Sequence, residues 1–324
     1  MNAIVVYGAT GHTGRFVVEE LLRQNLPVAV SGRNASALAE RWGHLDVRPA
    51  AVDDPHALDR ALQNAAAVIN TAGPFATTAG PLIAAAARQR IPYVDVAAEI
   101  EANAATLARR SDTPVVPAMA FYGGLGDLLT TAALGERTAA DEVHVAYGLS
   151  SWHPTPGTRV AGKVSHQRRN GRRVRYADGR LRYHDDEPVQ QDWAFPKPLG
   201  RRRVIAEFSM ADIVTIPSHL TVPEVRTYMT VEAAGDLADA DTPAPAAVDE
   251  QGRSDQTFVV DVLADGRHAT ASGQDIYAIT APLAVGAVRR ILAGETRASG
   301  VASAGAMFDA VDFLKDLPLT LELS

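Results

Sequence analysis

Residues 4–14 read IVVYGATGHTG, and residues 15–24, RFVVEELLRQ, follow at once with an apolar face at helical spacing. The first stretch is a strand running into a glycine turn, and the second is a helix. Gly8 suits a tight turn out of the strand, Gly11 lets backbone approach a pyrophosphate, and Gly14 lets the helix pack against the strand. A helix amino end presents free N–H groups and a partial positive charge, so the turn is a natural seat for a dinucleotide. Gly8, Thr10, Gly11, His12, Thr13 and Gly14 are its expected cradle.

The second strand, VAVSGRN, ends in Ser31, Gly32, Arg33 and Asn34 with no carboxylate. An acid at this place hydrogen-bonds a free ribose 2′-hydroxyl, whereas Arg33 with Ser31 and Asn34 suits a 2′-phosphate. The expected cofactor is therefore NADP(H). Asp53, after the third strand, is a further cofactor-binding candidate.

Short apolar runs alternate with helical segments up to about residue 120: LDVRPAAV, AAVINTAG, IPYVDVA and TPVVPAMA are the later strands. This alternation predicts an α/β fold with a Rossmann-type, doubly wound parallel sheet, whose ligands lie beyond the carboxyl ends of the strands. The fourth strand ends in Asn70, Thr71, Ala72, Gly73, Pro74 and Phe75, of which Asn70 and Ala72 to Phe75 are expected near the cofactor. Asp95 and Glu99 follow the fifth, and Tyr122 and Asp127 follow the sixth. Asn70 and Asp127 fit a ligand role and a capping role equally.

The texture changes after residue 122. EVHVAYGLSS, RVAGKVSHQ, RRVRYADGRLRYH, RRRVIAEF, EVRTYMTVEA and QTFVVDVLADGRHATASG read as strands, with hairpin turns at Asp178-Gly179 and Asp265-Gly266. Residues 1–122 are read as the dinucleotide domain, 123–275 as a second, mostly antiparallel α+β domain, and 276–324 as helices returning to the first. Residues 235–256 read as a long surface loop.

At 324 residues with 47% hydrophobic and 21% charged side chains, the composition is that of a globular protein. The net charge of −7 argues against a nucleic-acid binder. The absence of cysteine excludes thiolate catalysis, disulfides and Cys-based metal sites, and no metal is expected. Pro282, Arg289 and Arg290 interrupt the longest apolar stretch, so no membrane span is expected; with a strand starting at once, the expected compartment is the cytoplasm. Residues 159–203 hold thirteen Lys and Arg against five Asp and Glu, a local +8, leaving −15 elsewhere. Outward positions of hairpins account for this, and so does the steering of an anionic substrate.

Hydride transfer leaves most of the chemistry to the cofactor, but a proton donor or acceptor is usually needed. No tyrosine has a lysine four residues on, so the Tyr–Lys pair of short-chain dehydrogenases is absent. Tyr122, His153 and Asp127 are the catalytic candidates, with Glu99, Lys163 and His166 behind them.

GATGHTGR, SGRN, NTAGPF, YVDVAAE and VPAMAFYGGLGD together resemble the saccharopine dehydrogenase-like oxidoreductases, most strongly over residues 1–130 and again in the closing helices. The resemblance implies a pyrophosphate on Gly8 to Gly14, an adenosine end at Arg33 and Asn34, and a path to the nicotinamide along Asn70 and Gly73 to Phe75. It implies a second domain that selects a small-molecule substrate and makes a homodimer contact, and hydride transfer at a C=N or C=C bond. A redox-sensing regulator that binds NADP(H) without turnover is the alternative.

Overall fold

The computed structural model describes residues 2–323. β1 (Ile4–Tyr7), α1 (His12–Arg23), β2 (Val28–Gly32), α2 (Ala35–Trp42), β3 (Asp46–Pro49), α3 (Pro55–Leu62), β4 (Ala67–Asn70), α4 (Phe75–Gln89), β5 (Tyr93–Asp95), α5 (Ile100–Leu107) and β6 (Val115–Val116) alternate as expected. The six strands are parallel in the order β3-β2-β1-β4-β5-β6. Strand order reverses between β1 and β4, the place where doubly wound sheets bind ligands.

Alternate residues of these strands feed two cores. Ile4, Val6, Val28, Val30, Ile69 and Val94 pack with α1 and α2 on one face. Val5, Ala29, Val68 and Tyr93 pack with α3 and α4 on the other. Both faces are covered, which is why β1 and β4 read as unbroken apolar runs. Right-handed crossovers set α1 and α2 over β1 to β3 only, so the β4 and β5 half of that face needs a helix from elsewhere.

The chain continues through a kinked turn, Phe121–Leu125, into α6 (Gly126–Leu134), β7 (Glu142–Leu149), α7 (Pro156–Arg168), β8 (Arg173–Ala177), β9 (Arg180–His184), β10 (Gln190–Ala194), β11 (Arg201–Ala206), α8 (Asp212–Thr215), β12 (Glu224–Thr230), α9 (Val231–Ala238), β13 (Thr257–Ala264) and β14 (Arg267–Gln274). It closes with α10 (Thr280–Ala293), α11 (Ala304–Met307), α12 (Ala310–Lys315) and β15 (Thr320–Leu323). The second sheet runs β10-β11-β12-β7-β13-β14-β15, with the β8–β9 hairpin off β12. It is a mixed sheet, since β7 and β12 pair in parallel while its other pairs are antiparallel.

One expected strand is a helix. RVAGKVSHQ lies in α7, whose start is set by Thr155 accepting from Thr158 N (3.0 Å) with Pro156 at the first helical position. Val160 and Val164, four residues apart, fit the spacing of a helix as well.

α10 returns to the first domain and packs on α1, its Leu283, Ala284 and Ala287 sharing the core of β4 and β5. It is the helix the crossovers left missing. α11 and α12 settle on α6, Val301 bridges to Val115 at the edge of the first sheet, and β15 ends the chain in the second. Beyond α9, residues 239–256 form an irregular segment tied down at both ends: Arg159 donates to the carbonyls of Asp239 and Thr242, and Arg15 to that of Gly252. Among the described residues no helix is long and apolar enough to cross a membrane.

Candidate functional site

Gly8 has φ +90°, and a Cβ there would come within 2.9 Å of Ala72 and Thr71 atoms of the loop after β4. A Cβ on Gly14 would lie 2.2 Å from the Gly8 carbonyl oxygen. The turn is therefore closed to any side chain at these two places. Gly8 N and Ala9 N donate to the Ser31 carbonyl (2.8 and 3.3 Å), which pins the turn to the end of β2. α1 begins after Gly11 with no side-chain cap and no acid in its first turn. Its free amides remain available to an anion.

Two polar atoms beside this helix end are buried without a partner, His12 Nε2 and Ser31 Oγ. The His12 ring meets Phe16 and Tyr277 edge-on at 5.4 and 5.1 Å, and burial holds its pKa below the ordinary value. An uncapped amino end, a glycine cradle and orphaned polar atoms fit a phosphate-bearing dinucleotide. Thr10 and Gly11 are exposed and Thr13 half-buried.

At the end of β2 the three expected contacts part ways. Ser31 is buried, and Asn34 caps α2 by accepting from Ala37 N (3.1 Å). Arg33 is exposed and forms no hydrogen bond or ion pair among the described residues. Asp53 is exposed as well, and the charges of Arg33 and Asp53 act in opposite senses on Tyr7, whose hydroxyl donates to the Ala50 carbonyl (3.1 Å). Of the three, Arg33 alone is both exposed and uncommitted.

The loop after β4 is shaped from within. Asn70 is fully buried; its Nδ2 donates to Thr78 Oγ1 (3.2 Å) and Tyr93 OH (3.0 Å), and its Oδ1 accepts from Ala72 N (3.0 Å). Asn70 thus holds the loop rather than facing the cleft. Phe75 is buried against Ala97 and Ala102, leaving Gly73 and Pro74 as the surface presented outward. Glu99 fills the amino end of α4: Phe75 N donates to Oε1 (2.7 Å) and Ala76 N to Oε2 (3.0 Å). Burial pushes the Glu99 carboxyl up despite these two bonds. Asp95 accepts from Ala97 N, Ala118 N and the Tyr93 hydroxyl, and burial raises its pKa to about 6.

α7 lies across these strand ends. Its Ala161 would be 3.8 Å from a Cβ on Gly73, and its Ser165 donates to Glu101 Oε2 (2.7 Å). The preceding turn is held by Tyr277, whose hydroxyl receives Trp152 Nε1 and Thr155 N (3.3 Å each), shares a 3.0 Å bond with Thr158 Oγ1, and donates to the His153 carbonyl (3.3 Å). A turn of the second domain is in this way joined, through one tyrosine, to His12 at the start of α1. His153 is half-buried, Lys163 and His166 exposed.

Of the two other catalytic candidates, one is sealed in the core and the other is paired. Tyr122 is sealed among Phe121, Tyr147 and Trp152, its hydroxyl is buried without a partner, and burial drives its pKa well above the ordinary value. Asp127 is fully buried; its Oδ1 meets His219 Nε2 at 2.7 Å and its Oδ2 accepts from Gly305 N (2.7 Å). It joins α6 to α11 and is an internal anchor. Burial lowers the His219 pKa, but the Asp127 carboxylate outweighs it and the net shift is upward.

Sequence reasoning missed Tyr277, His219 and the buried pair in which Tyr147 OH donates to both oxygens of Asp212 (2.8 and 2.9 Å), with burial raising Asp212 to about 7. These groups meet across 65 to 125 positions of chain. No spacing pattern signals that. In the basic segment, Arg169 lies 3.9 Å from Glu101, Arg173 donates to the carbonyls of Asp186, Ala206 and Glu207, and Arg172 stacks on Tyr183. Part of that charge is spent on internal contacts; Arg168 is exposed.

Comparison with known proteins agrees with this geometry. A family model described as NAD(P)H-binding matches residues 8–110. A probable mitochondrial saccharopine dehydrogenase-like oxidoreductase of Arabidopsis thaliana is 28% identical over 142 residues, 36% of this chain and 31% of that protein. A saccharopine dehydrogenase-like oxidoreductase of Bos taurus is 31% identical over 117 residues, 30% of this chain and 27% of that protein. These matches span less than a third of either relative. The solved apo structure of saccharopine dehydrogenase (L-Glu forming) from Saccharomyces cerevisiae aligns over 100% of both chains with a TM-score of 0.64 and 13% identity, a likeness of fold. Residues 8–110 are therefore an NAD(P)H-binding domain, and the chain has the fold of saccharopine dehydrogenase.

Proposed function

We propose that the protein is an NADP(H)-dependent oxidoreductase that transfers hydride to or from a C=N or C=C bond of a small polar metabolite. The observation that carries this reading is the pairing of an uncapped α1 amino end with an uncommitted Arg33 at the end of β2. Gly8 to Gly14 would hold the pyrophosphate, Arg33 a 2′-phosphate, and Gly73 and Pro74 would flank the path of the nicotinamide. A bound nicotinamide supplies the hydride chemistry. His153, partly accessible on the turn that Tyr277 holds, is the proposed proton-handling side chain, because Tyr122 is sealed and Asp127 is paired. An anionic substrate suits the basic segment 159–203, and a cytoplasmic homodimer belongs to the same proposal.

A regulator that binds NADP(H) without turnover draws support from one observation, the burial of the Tyr122 hydroxyl and the pairing of Asp127, two of the three proton-donor candidates. Fluorescence titration with NADPH and NADH, followed by absorbance assays on imines, ketones and enoyl compounds, separates the readings. Turnover of any class with an NADPH preference supports the enzyme, and tight binding with no turnover supports the regulator. Failure to bind either nucleotide sinks both.

A further inference from the structure

A groove of about 680 Å³ runs between α4 and the segment joining α5 to β6, within the usual size of small-molecule sites. It lies at the amino edge of the first sheet, remote from the strand ends that face α7. Ile83 and Ala87 supply apolar surface, and Arg90, Arg109 and Arg110 bring three positive charges against the one carboxylate of Asp112. None of the three guanidinium groups forms a hydrogen bond or ion pair among the described residues. Carboxylates are within reach of this helix, since Arg88, two residues before Arg90, is paired with Asp59 at 2.8 Å.

Arg109 reaches back over α4. A Cβ on Gly80 would come within 3.2 Å of its Nη2, and its charge is felt at the buried Tyr93 hydroxyl. The segment that carries Arg109 and Arg110 is also fixed in place: Thr113 N donates to Ser111 Oγ (3.2 Å), and Val115 N to the Gly300 carbonyl (2.9 Å). Three unpaired arginines line one groove on a fixed frame, in a chain of net charge −7, and give it a local positive potential that favours an anion. Their fork geometry matches phosphate oxygens, and the apolar floor matches a carbon skeleton.

We propose that this groove is a second binding site, independent of the dinucleotide turn, for a phosphate monoester with an apolar portion. The phosphate is held by Arg109 and Arg110 with Arg90 at the rim, and the apolar portion lies on Ile83 and Ala87.

The test uses the full chain with excess NADP+ and calorimetric titration of phenyl phosphate and inorganic phosphate. Phenyl phosphate is expected to bind more tightly than inorganic phosphate and to weaken as salt rises. Arg109→Gln with Arg110→Gln is expected to weaken it at least tenfold, Arg90→Gln less, and the exposed Arg137→Gln, between α6 and β7, not at all. Sedimentation with vesicles of phosphatidylcholine, with and without phosphatidic acid, tells the two sources apart. Acid-dependent sedimentation lost in the double variant assigns the phosphate to a lipid headgroup, and no sedimentation assigns it to a soluble metabolite. The proposal is overturned if the unmodified protein does not bind phenyl phosphate, or if the double variant binds it as well. All three side chains are exposed, so the variants should fold; circular dichroism checks this, and Arg90→Gln gives a second, single-site measure.

Discussion

The amino ends of α1 and α4 follow adjacent strands and open on the same edge of the first sheet, yet they are finished in opposite ways. α1 starts after Gly11 with no cap and no nearby acid, whereas the first amides of α4 are taken by both oxygens of Glu99. A helix amino end is an anion site by construction, and a protein that wants it for a ligand must leave it unfilled. α4 carries its own anion and is thereby a wall. α1 carries none and is a seat. The neighbouring α2 and α3 starts, closed by Asn34 and Asp54, make the same point.

The sharpest way to break this comparison lies at the far end of the proposed seat. Arg33→Asp should weaken NADPH more than NADH by on the order of 2 to 4 kcal/mol, since a charge-assisted contact becomes a like-charge clash. Equal losses in nucleotide titrations would remove the 2′-phosphate role. Gly14→Ala forces a Cβ to within 2.2 Å of the Gly8 carbonyl, and overpacking of this kind costs about 1 to 3 kcal/mol. A lowered urea midpoint together with weaker nucleotide binding is expected; an unchanged protein would mean that the turn is not tight.

Glu99→Ala should bring the two ends closer together in character. Two amides lose their acceptor, at about 1 to 2 kcal/mol of stability, and sulfate should then raise the variant's melting temperature more than the parent's. The pH dependence has a definite sign. Because the folded pKa of Glu99 is raised, its titration contributes stability that is present below about 4.5 and lost as pH rises through the folded value, so the gap between parent and variant should narrow towards neutrality. A gap that widens instead argues against the raised pKa. The smallest effect belongs to Tyr277→Phe, which removes the hydroxyl joining the 152–158 turn to α1 and should cost about 1 kcal/mol. Hydrogen exchange in 152–158 should quicken; unchanged exchange would show that Tyr277 does not hold that turn.

The two domains differ in how far their sequence could be read. In the first, each strand, turn and helix start is encoded within a few residues, so IVVYGATGHTG and the alternation after it led directly to the parallel sheet. In the second, one of the expected strands proved to be α7, because Thr155 and Pro156 set a helix start just ahead of the stretch that was read as a strand. The parallel β7–β12 pair has no local mark at all, for its strands are joined across α7, β8 to β11 and α8.

The candidate site divides along the same line. The amino-acid sequence by itself determined the glycine turn, the basic exit of β2 and the absence of thiol chemistry, since these depend on backbone freedom and residue type over short stretches. Only the tertiary structure decided which polar side chains were left over for a ligand. Asn70 turned inward to Thr78 and Tyr93, Asp127 was taken by His219, and Glu99 closed α4, while Arg33 and the amino end of α1 stayed free. The physical reason is that a buried polar group must find its partner wherever packing brings one within 3 Å, and that choice is made by the whole chain rather than by its neighbours in sequence.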